Sequence, residues 1–146
     1  MDSLIKNGLL ITSKNRVTAS IGIKDGLIAG IYEPGEEPEA TEVIDAKGLA
    51  IIPGAIDMHS HGQDDENYRV QARDGVTTAL ELELGVSNVP NWYQEREGNA
   101  LINFGASIGH VPVRIQVMKD PGHMSPIGDG AYKQASDKEM EEIKSL

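Results

Sequence analysis

Apolar residues in the first fifty positions come in short runs, broken at turn-forming pairs. "SIGIKDGLIAGI" sets Asp25-Gly26 between two such runs. That is a two-residue hairpin signal, because a tight hairpin turn asks for positive φ, which Asp and Gly tolerate. "LIKNGLLI" presents Asn7-Gly8 in the same way. The acidic, proline-bearing "YEPGEEPEATE" reads as an exposed loop. "EVIDAKGLAIIPG" gives two further short strands around Lys47-Gly48. Residues 1–54 therefore read as a small antiparallel β module.

The pattern changes after Pro53-Gly54. "AIDMH" is a short strand. "DDENYRVQARDG" is polar, with Tyr68 and Ala72 one helical turn apart and Gly75 as a stop. "VTTALELELG" alternates with the period of two that marks a strand. "PNWYQEREGNA" predicts a short helix opening on Pro90, and "LINFGASIG" a third strand. "VPVRIQVM" fits helix and strand equally, and "DPGHMSPIGDGAY" is a Gly/Pro loop. "SDKEMEEIKSL" opens a helix, with Ser136 and Glu139 spaced as a capping box and Met140 and Ile143 beginning an apolar stripe. Strand then helix, repeated, predicts a parallel α/β arrangement over residues 55–146. The stripe stops at Leu146, so the expectation is a sequence cut within a helix.

Length and charge narrow the field. A chain of 146 residues is enough for an ordinary core. It is too short for a closed eight-stranded α/β barrel, which takes roughly 250 residues. The formal net charge of −10 makes it a poor phosphate binder, which excludes nucleic acid as an expected partner. With no cysteine there are no disulfides or thiolate metal sites, leaving His and carboxylate as possible ligands. The lack of cysteine fits a cytoplasmic protein. Lys6, Asn7 and Gly8 interrupt the N-terminal apolar run, so no secretory signal is read there. No run reaches the roughly 18 apolar residues of a membrane span, so no membrane partner is expected.

Against that background the chemistry concentrates in "AIDMHSHG". On a strand, Asp57, His59 and His61 project to one face, with both imidazoles at the C-terminal end. Neutral imidazole is a common ligand for zinc and similar metals. By spacing alone, a ligand pair and two surface histidines in a strand-end turn are equally open. In "TTALELELG", Leu80, Leu82 and Leu84 share one face, and Glu81 and Glu83 the other. This is either ordinary polar-out alternation or a pair of carboxylates pointing into a barrel, where burial demands a cation or donors. Of the two, Glu83 lies nearer the C-terminal end and is the better ligand candidate. His110 follows the third strand, near the mouth, and is a candidate substrate-binding residue, with a structural loop hydrogen bond as its simpler role. Arg114 has the geometry to hold a substrate carboxylate, with a surface ion pair as the simpler role. His123 sits in an exposed loop, and Trp92 and Tyr93 read as packing residues. No Gly-rich phosphate loop and no Gly-x-Ser-x-Gly elbow is present.

Together, "LIKNGLLIT", "IGIKDGLIAGI" and "EVIDAKGLAIIPGAIDMHSHG" resemble the N-terminal part of the amidohydrolase superfamily. There a small β-sandwich module runs into the first strand of a metal-bearing (β/α)8 barrel, ending in His-x-His. "GVTTALELELG", "INFGASIGHVPVRIQVM" and "ASDKEMEEIKSL" look most like the N-acyl-D-amino-acid deacylase (D-aminoacylase) branch. The resemblance implies an α/β fold: sandwich strands over 1–54, then about three βα units of an incomplete barrel over 55–146. It implies His59 and His61 as ligands of one or two divalent metals, with zinc the expected ion. Glu83 would replace a cysteine that the branch carries just after Gly-Val-Thr-Thr, and Asp57 would orient a ligand.

The implied reaction is metal-assisted hydrolysis of a non-peptide amide C–N bond in a small N-acyl amino acid. The general acid/base is expected beyond residue 146, so this chain alone is expected to be inactive. Its uncovered sheet edge would favour self-association. Two alternatives stand beside this: a cyclic amidohydrolase of the dihydroorotase or hydantoinase kind, and a non-enzymatic truncated relative serving as a binding or scaffold protein.

Overall fold

A computed structural model describes residues 1–146, which divide into two compact units, Met1–Pro53 and Gly54–Leu146. The first is a single five-stranded mixed sheet. Strands β1 (Ser3–Ile11), β2 (Arg16–Lys24) and β3 (Leu27–Tyr32) form an antiparallel meander. Asp25 and Gly26 make the β2–β3 turn, both with positive φ, and Lys24 pairs with Leu27 across it. Strands β4 (Glu42–Asp45) and β5 (Ala50–Ile51) both pair with β1 in parallel, one after the other along its length. The antiparallel reading of the module therefore holds for its first three strands only.

Asn7-Gly8 is not a hairpin turn. β1 runs straight through it, and the pairing register with β2 shifts between Ile5 and Gly8, with Asn7 at φ 62°. The signal is that of a bulge, which also uses a positive-φ residue. One buried cluster, Leu10, Ala19 and Ile21, packs with Ile23 and Ile51 on this sheet. Leu27, Ile28 and Ile31 on β3 remain exposed.

The second unit is a three-stranded parallel sheet in the order β6-β7-β8, with helical connections. β6 (Ala55–Asp57) leads through α1 (Asp65–Arg73) to β7 (Val76–Val86). From there α2 (Val89–Arg96) leads to β8 (Asn103–Ile108). Parallel neighbours need such crossovers, since a hairpin cannot join them. α3 (His110–Val117) resolves the ambiguous "VPVRIQVM" as helix and packs on β7. The Gly/Pro loop contains a short α4 (Asp129–Tyr132), and α5 (Asp137–Ser145) starts with the Ser136–Glu139 capping box.

Tyr68 of α1 is 1% exposed, and Trp92, Tyr93 and Phe104 cluster edge-on and tilted beside it. The three strands form an open sheet and not a closed barrel. No helix is long and apolar enough to cross a membrane.

Candidate metal centre

β6 ends at Asp57, two residues short of the first histidine. His59 and His61 therefore sit in the loop after the strand, and not on it as their spacing predicts. They still converge, because the loop is tied down. The Asp57 carboxylate accepts the His59 main-chain N–H at 3.0 Å, and Ser60 N–H donates to the Leu80 carbonyl of β7 at 3.1 Å. The two imidazole centroids lie 4.9 Å apart, edge to face.

β7 brings carboxylates to the same place. Its first half is in regular register with β8 up to the Glu81–Ala106 pair, and the next pair is Val86–Ile108. β7 thus advances five residues while β8 advances two. Gly85 makes this irregularity possible. It has φ +71°, and a Cβ there would fall 2.6 Å from the Gly109 backbone. Its N–H donates to Glu81 Oε1 at 3.3 Å.

Glu81 and Glu83 then act on opposite ends of one imidazole. Both Glu81 oxygens lie 2.9–3.0 Å from His61 Nδ1, and Glu83 Oε2 lies 3.4 Å from His61 Nε2 and 3.7 Å from His59 Nε2. The Glu81 side chain is 8% exposed, whereas that of Glu83 is 61% exposed. The Glu81 hydrogen bond raises the His61 pKa above the usual imidazole value. Partial desolvation opposes this, and the charges of Glu81, Glu83 and Asp57 add to it. With Nδ1–H donated to Glu81, Nε2 carries the free lone pair on neutral His61.

His59, His61 and Glu83 each place one ligand atom within 4.8 Å of the others. Ligand bonds of about 2.0–2.2 Å put two donors of a tetrahedral ion about 3.3 Å apart, close to the 3.4 and 3.7 Å from Glu83 to the two imidazoles. Two imidazoles and a carboxylate fit a divalent metal, and three protein ligands leave a position open for water or substrate.

The other sequence candidates fall elsewhere. His110 opens α3 and Arg114 lies within it; neither makes a hydrogen bond or ion pair to His59, His61 or Glu83. Arg114 donates from Nε to the Gly130 carbonyl at 2.6 Å and from Nη2 to that of Lys133, which ties α3 to the loop around α4. The same loop is organised by Asp120. Its carboxylate accepts four main-chain N–H groups, from Gly122, Ile127, Gly128 and Gly130, at 2.8–2.9 Å. Burial alone would raise the Asp120 pKa, but the four donors outweigh it and hold the carboxyl below its usual range.

Glu81 is the site residue that the sequence reading passed over in favour of Glu83. The available signal was its shared strand face with Glu83, together with the need of a ligating imidazole for an acceptor on its second nitrogen.

The amidohydrolase family profile matches residues 42–118. Similar proteins include an allantoinase from Bacillus licheniformis, 40% identical over 95 residues, covering 57% of this chain and 20% of that protein. A D-hydantoinase from Rhizobium radiobacter is 35% identical over 103 residues, covering 69% and 22%. Among solved structures, a D-hydantoinase crystal structure superposes with a TM-score of 0.62 at 32% identity, covering 72% of this chain and 26% of that one. The L-hydantoinase (dihydropyrimidinase) of Arthrobacter aurescens gives 0.63 at 26% identity, covering 97% and 37%. The chain spans about a fifth of the length of these two curated relatives.

Proposed function

The chain belongs to the amidohydrolase family, and from that premise we propose that it carries part of the metal centre of a cyclic amidohydrolase, which opens a small cyclic amide by hydrolysis of a C–N bond. The observation that carries this reading is the meeting of His59, His61 and Glu83, with Glu81 fixing His61 from behind. Residues 54–146 are then the first βα units of a (β/α)8 barrel, with the centre at the C-terminal ends of the strands, where such barrels hold their active sites.

In this reading His59, His61 and Glu83 hold a divalent ion, with zinc the ion of choice for such donors. When bound, the ion supplies Lewis-acid polarisation of the amide carbonyl and a water made acidic near neutral pH. The chain's own residues do the positioning. Glu81 accepts Nδ1–H of His61 and so directs Nε2 at the ion. Asp57 holds the His59 main chain. The net chemistry adds water across the amide: oxygen joins the carbonyl carbon, the C–N bond breaks, and the ring nitrogen takes a proton.

The substrate class rests on the relatives, whose names are allantoinase and hydantoinase. A second reading, N-acyl-D-amino-acid deacylation, is supported by the resemblance of "GVTTALELELG" to that branch. The test is turnover by the zinc-loaded protein, expressed from its complete reading frame, on hydantoin, allantoin and dihydroorotate beside N-acetyl-D-amino acids. Ring opening is the expected result. Activity confined to N-acyl-D-amino acids would replace the cyclic reading by the second one, and no metal-dependent turnover of either class would remove both.

A further inference from the structure

His59 and His61 flank Ser60, and the environment of Ser60 is unlike that of an ordinary loop residue. It is 2% exposed although it lies beyond the end of β6. Its N–H donates to the Leu80 carbonyl at 3.1 Å. Its Oγ accepts from Gln71 Nε2 at 2.7 Å, and its carbonyl accepts from Gln63 Nε2 at 3.4 Å. Gln63 is itself 3% exposed. Its Oε1 accepts from Tyr68 Oη at 3.1 Å, and its carbonyl accepts Arg96 Nε–H at 3.0 Å. Arg96 is held in turn over the Trp92 ring, 4.1 Å from the centroid.

We infer that Ser60 is a positioning residue for both histidines, held by a buried polar network in which Gln63, Tyr68 and Gln71 of the α1 region fix the loop between them. Three bonds on one residue, from β7, from α1 and from the loop itself, set the main chain on either side, and with it the Cα–Cβ direction of each imidazole. A polar network of this kind is out of place in a core kept for stability alone, since apolar side chains of similar volume would fill the space without needing partners. It sits where the backbone has left the strand ladder, and it adds to the Asp57–His59 and Glu81–His61 bonds a hold on the residue between the two histidines. Residues that orient ligands from behind commonly alter metal affinity by about 10–100-fold when removed.

This inference rests on the metal-centre reading and is tested apart from it. The protein is titrated with Co2+, whose visible absorption reports ligand geometry, and the metal-free protein is melted in parallel. Ser60→Ala removes the Oγ acceptor, and Gln71→Met removes the same bond from the helix side, so that one variant serves if the other fails to fold. The expected result is a Co2+ affinity about 10–100-fold weaker for either variant, with an altered absorption spectrum. Ser60→Thr, which keeps the hydroxyl, should restore much of the affinity. Spectra and affinities equal to wild type, with only the melting temperature lowered, would overturn the inference and leave the network a purely structural one. Failure of the wild-type protein to bind Co2+ would overturn the metal-centre reading, and this inference with it.

Discussion

At the scale of single residues, the spacing in "DMHSHG" predicts the meeting of the two imidazoles but not the element that carries them. His59 and His61 come together as a strand would bring them, yet they lie in a loop. The histidine spacing was readable because ligand type and separation are local. The support was not, because Glu81, Ser60 and Gln71 act through contacts across 20 and 11 residues of sequence that no pattern records. Glu81 gives the sharpest prediction at this scale. Glu81→Gln keeps the size but offers Nδ1 a weaker, uncharged acceptor, so zinc affinity at pH 7.5 should fall about 10–100-fold. Isothermal titration checks this, and an unchanged affinity would show that His61 needs no partner behind it.

Elements were easier to read where one cause set them. The Ser136 capping box and the Asp25-Gly26 turn depend on neighbours in sequence, and both form. Asn7-Gly8 misled because a hairpin and a bulge use the same backbone signal, and only the partner strand decides between them. "VPVRIQVM" fits helix and strand equally by pattern, and in the fold it is a helix packed on β7.

The loop between α3 and α5 shows a different case: it reads as unstructured, yet a single carboxylate organises it. Unfolded aspartate titrates near about 3.9, and Asp120 in the folded chain lies lower. A lowered folded value means that the stabilisation is complete above the unfolded pKa and is lost as pH falls through the folded one. Asp120→Asn should therefore be less stable at pH 7 and should lose less further stability on acidification below about pH 4. Urea unfolding across that range, followed by circular dichroism, tests this; parallel curves for the two proteins would sink it.

For the whole molecule, the useful fact is that Trp92, the chain's only tryptophan, lies in the second unit with the candidate centre. Its fluorescence reports that unit alone. If zinc binds the folded site only, 100-fold excess over the dissociation constant adds about 2.7 kcal/mol to the unfolding reported by Trp92. His61→Ala should abolish the shift, and a shift that survives it would place the ion elsewhere. The α/β class was legible at this scale from alternating strand and helix patterns. The single sheet of the first unit was not, since β4 and β5 join β1 in parallel after long separations in sequence.

The placement of the donors has a consequence for ancestry and engineering. Every group assigned to the centre, from Asp57 to Gly85, falls within one β-loop-α-β stretch, Ala55–Val86. The proposed ligands His59, His61 and Glu83 lie within 25 residues of sequence, so bringing them together asks for little loop closure. The stretch is not self-contained: Arg96 of α2 holds the Gln63 carbonyl, and the Gly109 backbone packs against Gly85 at the β7 irregularity, so α2 and β8 would have to travel with it.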